Sequence, residues 1–191
     1  LPVIALDDYE ADDVMATLAK AGAERGYDVT LCTSDKDCRQ LLGDRVRMYN
    51  MRKQTYLDVA GVKQDWGVGP EQVIDFQTLV GDPVDNVPGA PGVGPKTAAK
   101  LLQQFGTLDN MLANLSQVAS EKTRKAIQDN LDKLATSKKL VALATDVPIA
   151  MNWPAWQPRA VARSRSPTPI SPTRPISSSC CSARSRTAGA W

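Results

Sequence analysis

The sequence predicts an α/β fold in which a partial parallel sheet with flanking helices is followed by an all-helical part. Over residues 1–66, short apolar runs of strand type alternate with helical periodicity, an order typical of parallel sheets with right-handed crossovers. Beyond residue 67 the patterns are helical alone. With 191 residues, the chain has room for one domain and an appendage. We therefore expect three parts: residues 1–66, residues 67–150, and a linker and tail at 151–191.

Three strands and two helices are expected in the first part. Apolar, partly β-branched runs predict the strands at residues 3–6, 29–33 and 46–49. A long helix is predicted from Glu10 and a shorter one through Gln40. The long helix carries an apolar stripe with helical spacing, formed by Ala11, Val14, Met15, Leu18 and Ala19.

The second part is predicted to contain helices joined by loops. Pro70 can open a helix at its first turn, and the apolar pattern that follows runs to Val80. A loop rich in Gly and Pro comes next. Further helices are predicted at residues 96–105, 108–115 and 121–143.

Composition excludes several kinds of site. The chain has no histidine, which rules out Ser-His-Asp and Cys-His nucleophile systems and His-ligated zinc. Its four cysteines form no C-x-x-C pair, so neither a zinc ribbon nor a disulfide framework is supported. Cys32 lies in an apolar run and is expected in the core. Because membrane-helix and signal-peptide patterns are missing, we expect a soluble, cytoplasmic chain. We also expect that it is truncated at its N-terminus.

Charge separates the tail from the rest of the chain. The net charge is +2, but residues 159–191 hold six Arg and no acid, whereas residues 1–158 hold 17 Lys and Arg against 21 Asp and Glu. The tail is rich in Ser and Pro and lacks apolar periodicity, which predicts disorder. One interpretation is a basic nucleic-acid-binding tail. Because acids and lysines vanish abruptly, an out-of-frame or artefactual C-terminus is favoured.

Seven carboxylates form three clusters, each at the end of a predicted element. They are Glu10, Asp12 and Asp13 at a helix start, Asp35 and Asp37 after a strand, and Asp82 and Asp85 in a loop. For the first cluster alone, a favourable interaction with the helix dipole is the alternative explanation. If the clusters converge, their repulsion requires cations, and ligands that are all oxygen favour Mg²⁺ or Mn²⁺. Two such ions suit phosphodiester hydrolysis, although spacing alone leaves convergence open.

A second motif joins a glycine-rich loop to a helix start. Gly92 and Gly94 permit backbone conformations in which successive N–H groups point at one anion, and Lys96 and Lys100 add positive charge. This pattern favours a non-specific grip on a nucleic-acid phosphate, with a plain turn between helices as the alternative. A nucleotide-binding P-loop is excluded because Pro95 interrupts the Gly-Lys-Thr sequence.

Four segments, in order along the chain, resemble the motifs of the 5′→3′ exonuclease domain of bacterial DNA polymerase I, in the flap endonuclease superfamily. They are Tyr9-Glu10-Ala11-Asp12-Asp13-Val14, Thr33-Ser34-Asp35-Lys36-Asp37, Leu79-Val80-Gly81-Asp82-Pro83-Val84-Asp85-Asn86-Val87-Pro88-Gly89 and Gly92-Val93-Gly94-Pro95-Lys96-Thr97-Ala98. The resemblance covers roughly residues 1–150. It implies a PIN-like 5′-nuclease core, of which residues 1–66 are the C-terminal part, and a helix–hairpin–helix DNA-binding subdomain in residues 67–150.

The resemblance also implies roles for the marked residues. Two Mg²⁺ (or Mn²⁺) ions would be bound by Glu10, Asp12, Asp13, Asp35, Asp37, Asp82 and Asp85, and the six aspartates would be catalytic. DNA would be bound by Gly92, Val93, Gly94, Lys96, Thr97 and Lys100, with K⁺ under the hairpin carbonyls. The implied protein is a monomeric, nucleoid-associated bacterial nuclease, part of a DNA polymerase I, that hydrolyses phosphodiesters of 5′ flaps or RNA primers on double-stranded DNA.

The chain also departs from the family pattern. The family domain begins with a strand that bears another metal-binding Asp, followed by a basic helical arch, and neither lies in this chain. We therefore expect about the second half of the domain. The alternative function is a catalytically impaired fragment that only binds duplex DNA. An RNA-directed nuclease of similar sheet architecture ranks last, because it would have no reason to carry a helix–hairpin–helix.

Overall fold

A small mixed sheet organises the first part of the chain. The computed structural model describes residues 3–156. Its strands are β1 (Val29–Leu31), β2 (Val46–Asn50) and β3 (Thr55–Leu57), in the order β1-β2-β3. The predicted parallel pairing of β1 with β2 is confirmed. The strand β3 pairs antiparallel with β2 and was not predicted from the sequence.

Helices surround this sheet and bury its apolar residues. They are α1 (Ala11–Glu24), a 3₁₀ turn (Asp37–Leu41) and α2 (Val59–Trp66). The α1 helix is confirmed, and its stripe buries Val14 and Ala19 as predicted, but Ala16 and Thr17 are buried too. One apolar cluster joins these elements and consists of Ala19, Leu31, Cys38, Leu42, Val46, Met48, Val62 and Val73.

Two predictions for this part are wrong. Residues 3–6 form no strand: a strand needs a hydrogen-bonded neighbour, and among residues 3–156 β1 pairs with β2 alone. Cys32 is exposed rather than in the core, because side chains alternate along a strand and the neighbouring Leu31 points inward. The buried cysteine is Cys38, where burial raises the pKa of the thiol to about 12.

The second part is helical, as predicted. It contains a 3₁₀ turn (Pro70–Gln72), α3 (Val73–Val80), α4 (Pro95–Phe105), α5 (Leu108–Ala113), a 3₁₀ turn (Leu115–Gln117), α6 (Glu121–Gln128) and α7 (Leu131–Val141). The single helix predicted at 121–143 is thus two helices. The break follows Asp129, where the Asn130 side chain donates a hydrogen bond to the carbonyl of Ala126 (2.8 Å) and caps α6.

Polar contacts attach α3, and the loop that follows α3, to the other helices of this part. Its buried Asp75 accepts a hydrogen bond from the backbone N–H of Leu108 (2.8 Å) at the start of α5. Lys138 of α7 pairs with the same carboxylate at 3.3 Å. On α7, the buried Ser137 donates to the carbonyl of Pro88 (2.6 Å). These polar contacts fix the loop between α3 and α4 against the helical core.

A last helical turn, α8 (Trp153–Trp156), belongs to a second unit that starts at residue 153. Its two indole rings meet edge to face, with centroids 5.4 Å apart. The tail predicted to be disordered, 159–191, lies outside the described residues. None of the helices in residues 3–156 combines the length and apolar character needed to cross a membrane.

Candidate active site

The loop that follows β1 carries two of the predicted acidic residues. The Thr33 hydroxyl oxygen accepts a hydrogen bond from the backbone N–H of Asp35 (3.1 Å). The Asp35 carboxylate accepts in turn from the backbone N–H of Asp37 (2.9 Å). Two successive side-chain-to-backbone turns therefore fix the loop that carries Asp35 and Asp37 beyond the carboxyl end of β1, where parallel sheets place their ligands.

The acids at the start of α1 differ from one another in their contacts. Both oxygens of Asp13 accept backbone hydrogen bonds, one from Ala144 (2.8 Å) and one from Glu10 (3.4 Å). The structure therefore uses Asp13 to start the helix and to attach the segment after α7. Glu10 is exposed and precedes the helix, whereas Asp12 is half-buried and interacts with the acids after β1.

The loop after α3 is closed by two glycines that approach each other. Gly81 has φ +76°, and a Cβ built there would lie 2.4 Å from the backbone nitrogen of Gly89. A Cβ on Gly89 would lie 2.3 Å from the carbonyl oxygen of Val80. Asp82 and Val87 exchange two backbone hydrogen bonds of 2.8 Å next to this crossing. Only glycine fits at both positions. The close approach of the two backbone segments fixes the direction of Asp82.

Asp82 points inward and Asp85 lies at the exposed tip of the loop. Asp82 is only 4% exposed, and one of its carboxylate oxygens accepts the backbone N–H of Val84 (3.0 Å). The other oxygen is buried and makes no hydrogen bond of regular geometry, but it forms an ion pair with Lys36. Lys36 lies between the two acids after β1, and its position in the sequence alone does not predict this ion pair.

Electrostatic interactions connect the three acidic clusters. Burial raises the pKa of Asp12, and the nearby Asp35 and Asp37 raise it further. Burial also raises the pKa of Asp37, and the charges of Asp35 and Asp82 raise it further, whereas a hydrogen bond from Gln77 lowers it. A hydrogen bond with Asp82, followed by burial and charge repulsion, raises the pKa of Asp85. Carboxylates from all three clusters therefore share one region of negative potential.

Lys36 supplies positive charge inside this region. Burial disfavours its ammonium, but the hydrogen bond and charge of Asp82 raise the pKa of Lys36 overall. Burial likewise works against the Asp82 carboxylate, while Lys36 holds the pKa of Asp82 below its ordinary value. The pair places the Lys36 ammonium beside the buried Asp82 oxygen. Its positive charge reduces the repulsion among the surrounding carboxylates.

The chemistry of these side chains fits a hard divalent cation, although they are not arranged as a finished ligand set. Within residues 3–156, no group of three or more His, Cys, Asp or Glu side chains is placed to hold a metal ion. The donors are all carboxylate oxygens, as Mg²⁺ and Mn²⁺ prefer. The buried Asp82 oxygen without a regular hydrogen bond is paired with the Lys36 ammonium, and it could bind a metal ion if that ammonium moved away. Binding an ion would require the carboxylates to move closer together.

The glycine-rich loop leads into α4 as predicted. Gly92 has φ +78° and Gly94 precedes the helix in extended conformation. The side chain of Val93 is buried, and its N–H donates to the carbonyl of Ala90 (3.0 Å), so that amide is not free for a phosphate. Lys96 and Lys100 are exposed on the first turns of α4, and Thr97 is half-buried.

One further residue that sequence reasoning missed contacts this site. The side-chain amide of Gln77, on α3, donates a hydrogen bond to the Asp37 carboxylate. Gln77 lies in an apolar helical pattern, and no local signal distinguishes it from a core position. The contact depends on how α3 packs against the loop after β1.

Comparisons with known proteins match the whole of the described region. A family model described as 5′-3′ exonuclease, N-terminal resolvase-like domain, matches residues 1–67. A second, described as 5′-3′ exonuclease, C-terminal SAM fold, matches residues 68–164. DNA polymerase I of Rhizobium leguminosarum is 45% identical over 152 residues, which are 80% of this chain and 15% of that protein. The thermostable DNA polymerase I of Thermus thermophilus is 43% identical over 144 residues, which are 75% of this chain and 17% of that protein.

Solved structures of a phage nuclease share the fold. A mutant of the T5 5′-exonuclease superposes with a TM-score of 0.69 at 26% identity, covering 75% of this chain and 59% of that one. The T5 5′-exonuclease with bound zinc ions gives the same TM-score and identity and is covered to 54%. The T5 D15 flap endonuclease in a complex with DNA and metal ions has a TM-score of 0.69 at 25% identity, over 75% of this chain and 53% of that one. The chain thus spans less than a fifth of the curated relatives and little more than half of these structures.

Removing one acid from the cluster should stabilise the metal-free protein. The pKa of Asp12 is raised in the fold, so its charged form is less stable in the folded than in the unfolded chain above that pKa. We expect Asp12→Asn to raise the melting temperature in EDTA at pH 7 by about 2 °C, measured by scanning calorimetry.

The matched control is Asp132→Asn, which removes an acid from the first turn of α7. It should lower the melting temperature slightly, because a first-turn acid interacts favourably with the helix dipole. A lower melting temperature for Asp12→Asn than for the wild type would show that the acidic cluster is not under repulsion.

Proposed function

The chain belongs to the 5′-3′ exonuclease family that includes bacterial DNA polymerase I, and on this premise we propose that it is a divalent-metal-dependent 5′ nuclease. The proposed substrates are 5′ flaps and RNA primers on double-stranded DNA. The observation that carries the proposal is the electrostatic coupling of acids from α1, the loop after β1 and the loop after α3. The proposed context is a monomeric nuclease part of a DNA polymerase I, acting on the nucleoid in the bacterial cytoplasm.

Two divalent ions, Mg²⁺ or Mn²⁺, are proposed for the acidic cluster. The residues that would hold them are Glu10, Asp12, Asp35, Asp37, Asp82 and Asp85. Bound divalent ions supply positive charge that stabilises the transition state of phosphodiester hydrolysis and favours ionisation of water. Asp13 stays a predicted further ligand, and its two hydrogen bonds to backbone support a structural contribution as well. The T5 exonuclease structure with divalent metal supports the choice of cofactor class.

DNA binding is proposed for the loop at Gly92–Gly94 and the start of α4. The helix start and the exposed Lys96 and Lys100 offer positive charge to a backbone phosphate. The buried side chain of Val93 would hold the loop in place. Thr97 would lie beside the phosphate. In this proposal the acids of residues 1–66 carry the chemistry together with Asp82 and Asp85, and the rest of residues 67–150 holds duplex DNA. A K⁺ ion under the hairpin carbonyls stays a prediction.

A chain that binds DNA without cleaving it is the second candidate. Two observations favour it: no three acids in residues 3–156 are arranged around an ion position, and Lys36 already neutralises the buried Asp82. In that case the loop and α4 would retain their affinity for duplex DNA while hydrolysis would be lost.

A cleavage assay separates the two candidates. The 191-residue chain is incubated with a duplex bearing a fluorescent 5′ flap. We expect Mg²⁺-dependent release of the flap that EDTA abolishes. Asp85→Asn should reduce the rate about 100-fold or more, because it removes charge that would face the ions. Asp85 is exposed, so the substitution should leave the fold intact.

The control for this assay is Asp109→Asn, an exposed acid that pairs with Lys138 on the helical part. It should cleave as the wild type does. Flap binding without release by the wild type would overturn the nuclease proposal in favour of the binding-only candidate.

The DNA contact can be tested independently by salt dependence. In the variant Lys96→Ala/Lys100→Ala, two phosphate contacts are removed, so the slope of log affinity against log salt should fall by about 2. Fluorescence anisotropy with a blunt duplex in EDTA measures this. The matched control, Lys133→Ala/Lys139→Ala, removes two exposed lysines from α7. An equal loss of slope in both double variants would contradict a specific contact at α4.

A further inference from the structure

Gln77 is a polar side chain in an environment that favours apolar ones. It lies on α3 and is 4% exposed, and it is flanked along the helix by the buried Phe76 and Thr78. Burying an amide costs stability unless both of its polar atoms find partners. The neighbouring Thr78 meets this requirement within the helix, because its hydroxyl donates to the carbonyl of Ile74 (2.7 Å).

Only one of the two polar atoms in the Gln77 side chain has a hydrogen-bond partner. Its amide nitrogen donates to one carboxylate oxygen of Asp37. Its Oε1 atom is buried and has no hydrogen-bond partner in the structure. Both atoms are bonded to the same carbon, so the unpartnered Oε1 lies beside the Asp37 carboxylate. What Oε1 lacks is a hydrogen-bond donor, which the nearby ionised carboxylates cannot supply because they only accept.

Other contacts hold the backbone of Asp37 but not its carboxylate. Its N–H donates to Asp35 (2.9 Å), and its carbonyl accepts the side-chain amide of Gln40 (3.0 Å). Gln40 is itself fixed by α7, since it donates to the carbonyl of Val141 (3.0 Å). Among the described residues, Gln77 makes the side-chain hydrogen bond that orients the Asp37 carboxylate.

We infer that Gln77 is a positioning residue of the cation site, acting through Asp37. Its N–H group fixes the carboxylate, and its Oε1 accepts a hydrogen bond from a water molecule that hydrates the divalent ion. Mg²⁺ and Mn²⁺ sites commonly retain such waters, and partners of metal-binding carboxylates tune affinity. The inference rests on the proposed metal-dependent function and adds α3 to the elements that build the site.

Metal binding tests this inference without reference to catalysis. The 191-residue chain and its Gln77→Met variant are titrated with Mn²⁺ by isothermal calorimetry. Methionine keeps the unbranched shape but offers no N–H donor, so we expect the affinity to fall about 10- to 100-fold. The melting temperature in EDTA should be equal or higher, because a buried amide with an unpartnered oxygen has been removed.

Thr78→Val is the matched control, since it removes a buried hydroxyl one residue along the same helix. It should change the melting temperature in EDTA and leave the Mn²⁺ affinity as in the wild type. If Gln77→Met impairs folding, Gln77→Leu provides the same comparison, and unfolding of both in EDTA would assign Gln77 a purely structural role and overturn the inference.

The remaining outcomes separate this inference from the proposed function. Equal Mn²⁺ affinity in the wild type and Gln77→Met overturns the positioning role and leaves the metal site standing. A wild-type chain that binds no Mn²⁺ overturns both.

Discussion

Repulsion among carboxylates is the constraint on which the arrangement of this protein depends. Acids from the start of α1, the loop after β1 and the loop after α3 raise one another's pKa in a partly buried region. Such a grouping destabilises a fold unless positive charge compensates it. Lys36 supplies some of that charge through its ion pair with Asp82. The remaining repulsion is what a divalent cation would relieve, which links the stability of the fold to its proposed chemistry.

The α3 helix links the acidic region to the helical part. One of its buried polar residues, Gln77, contacts the acidic cluster. Another, Asp75, holds α5 and α7 by a hydrogen bond and an ion pair. The same helix ends at Val80, and the close approach of Gly81 to Gly89 that follows directs Asp82 inward. Through these contacts α3 positions both the acidic cluster and the loop that leads toward the proposed DNA contact.

Local sequence patterns predicted elements well wherever a single periodicity decided them. The stripe of α1, the parallel strands β1 and β2, and Pro70 ahead of α3 were all readable. Predictions were wrong where pairing or packing decides. Residues 3–6 look like a strand but pair with no other strand among residues 3–156. The strand β3 is mostly exposed, and its residues Thr55, Tyr56 and Leu57 form no apolar run that would mark it in the sequence.

The sequence predicts which types of residue form the candidate site, but it does not predict the contacts that they make. Acids at the ends of elements are visible in sequence, and so are glycines at a close crossing. Three contacts depend on how distant segments pack together. They are the hydrogen bond of Asp13 with the backbone of Ala144, the ion pair of Lys36 with Asp82, and the hydrogen bond of Gln77 with Asp37. No spacing rule within one segment contains that information.

Anomalous diffraction from crystals grown with Mn²⁺ tests most directly whether the three acidic segments converge on cations. We expect manganese peaks bounded by carboxylate oxygens of Asp12, Asp37 and Asp82, with the Lys36 ammonium displaced from Asp82. Manganese found only away from these three residues, with the Lys36–Asp82 pair intact, would contradict a shared cation site.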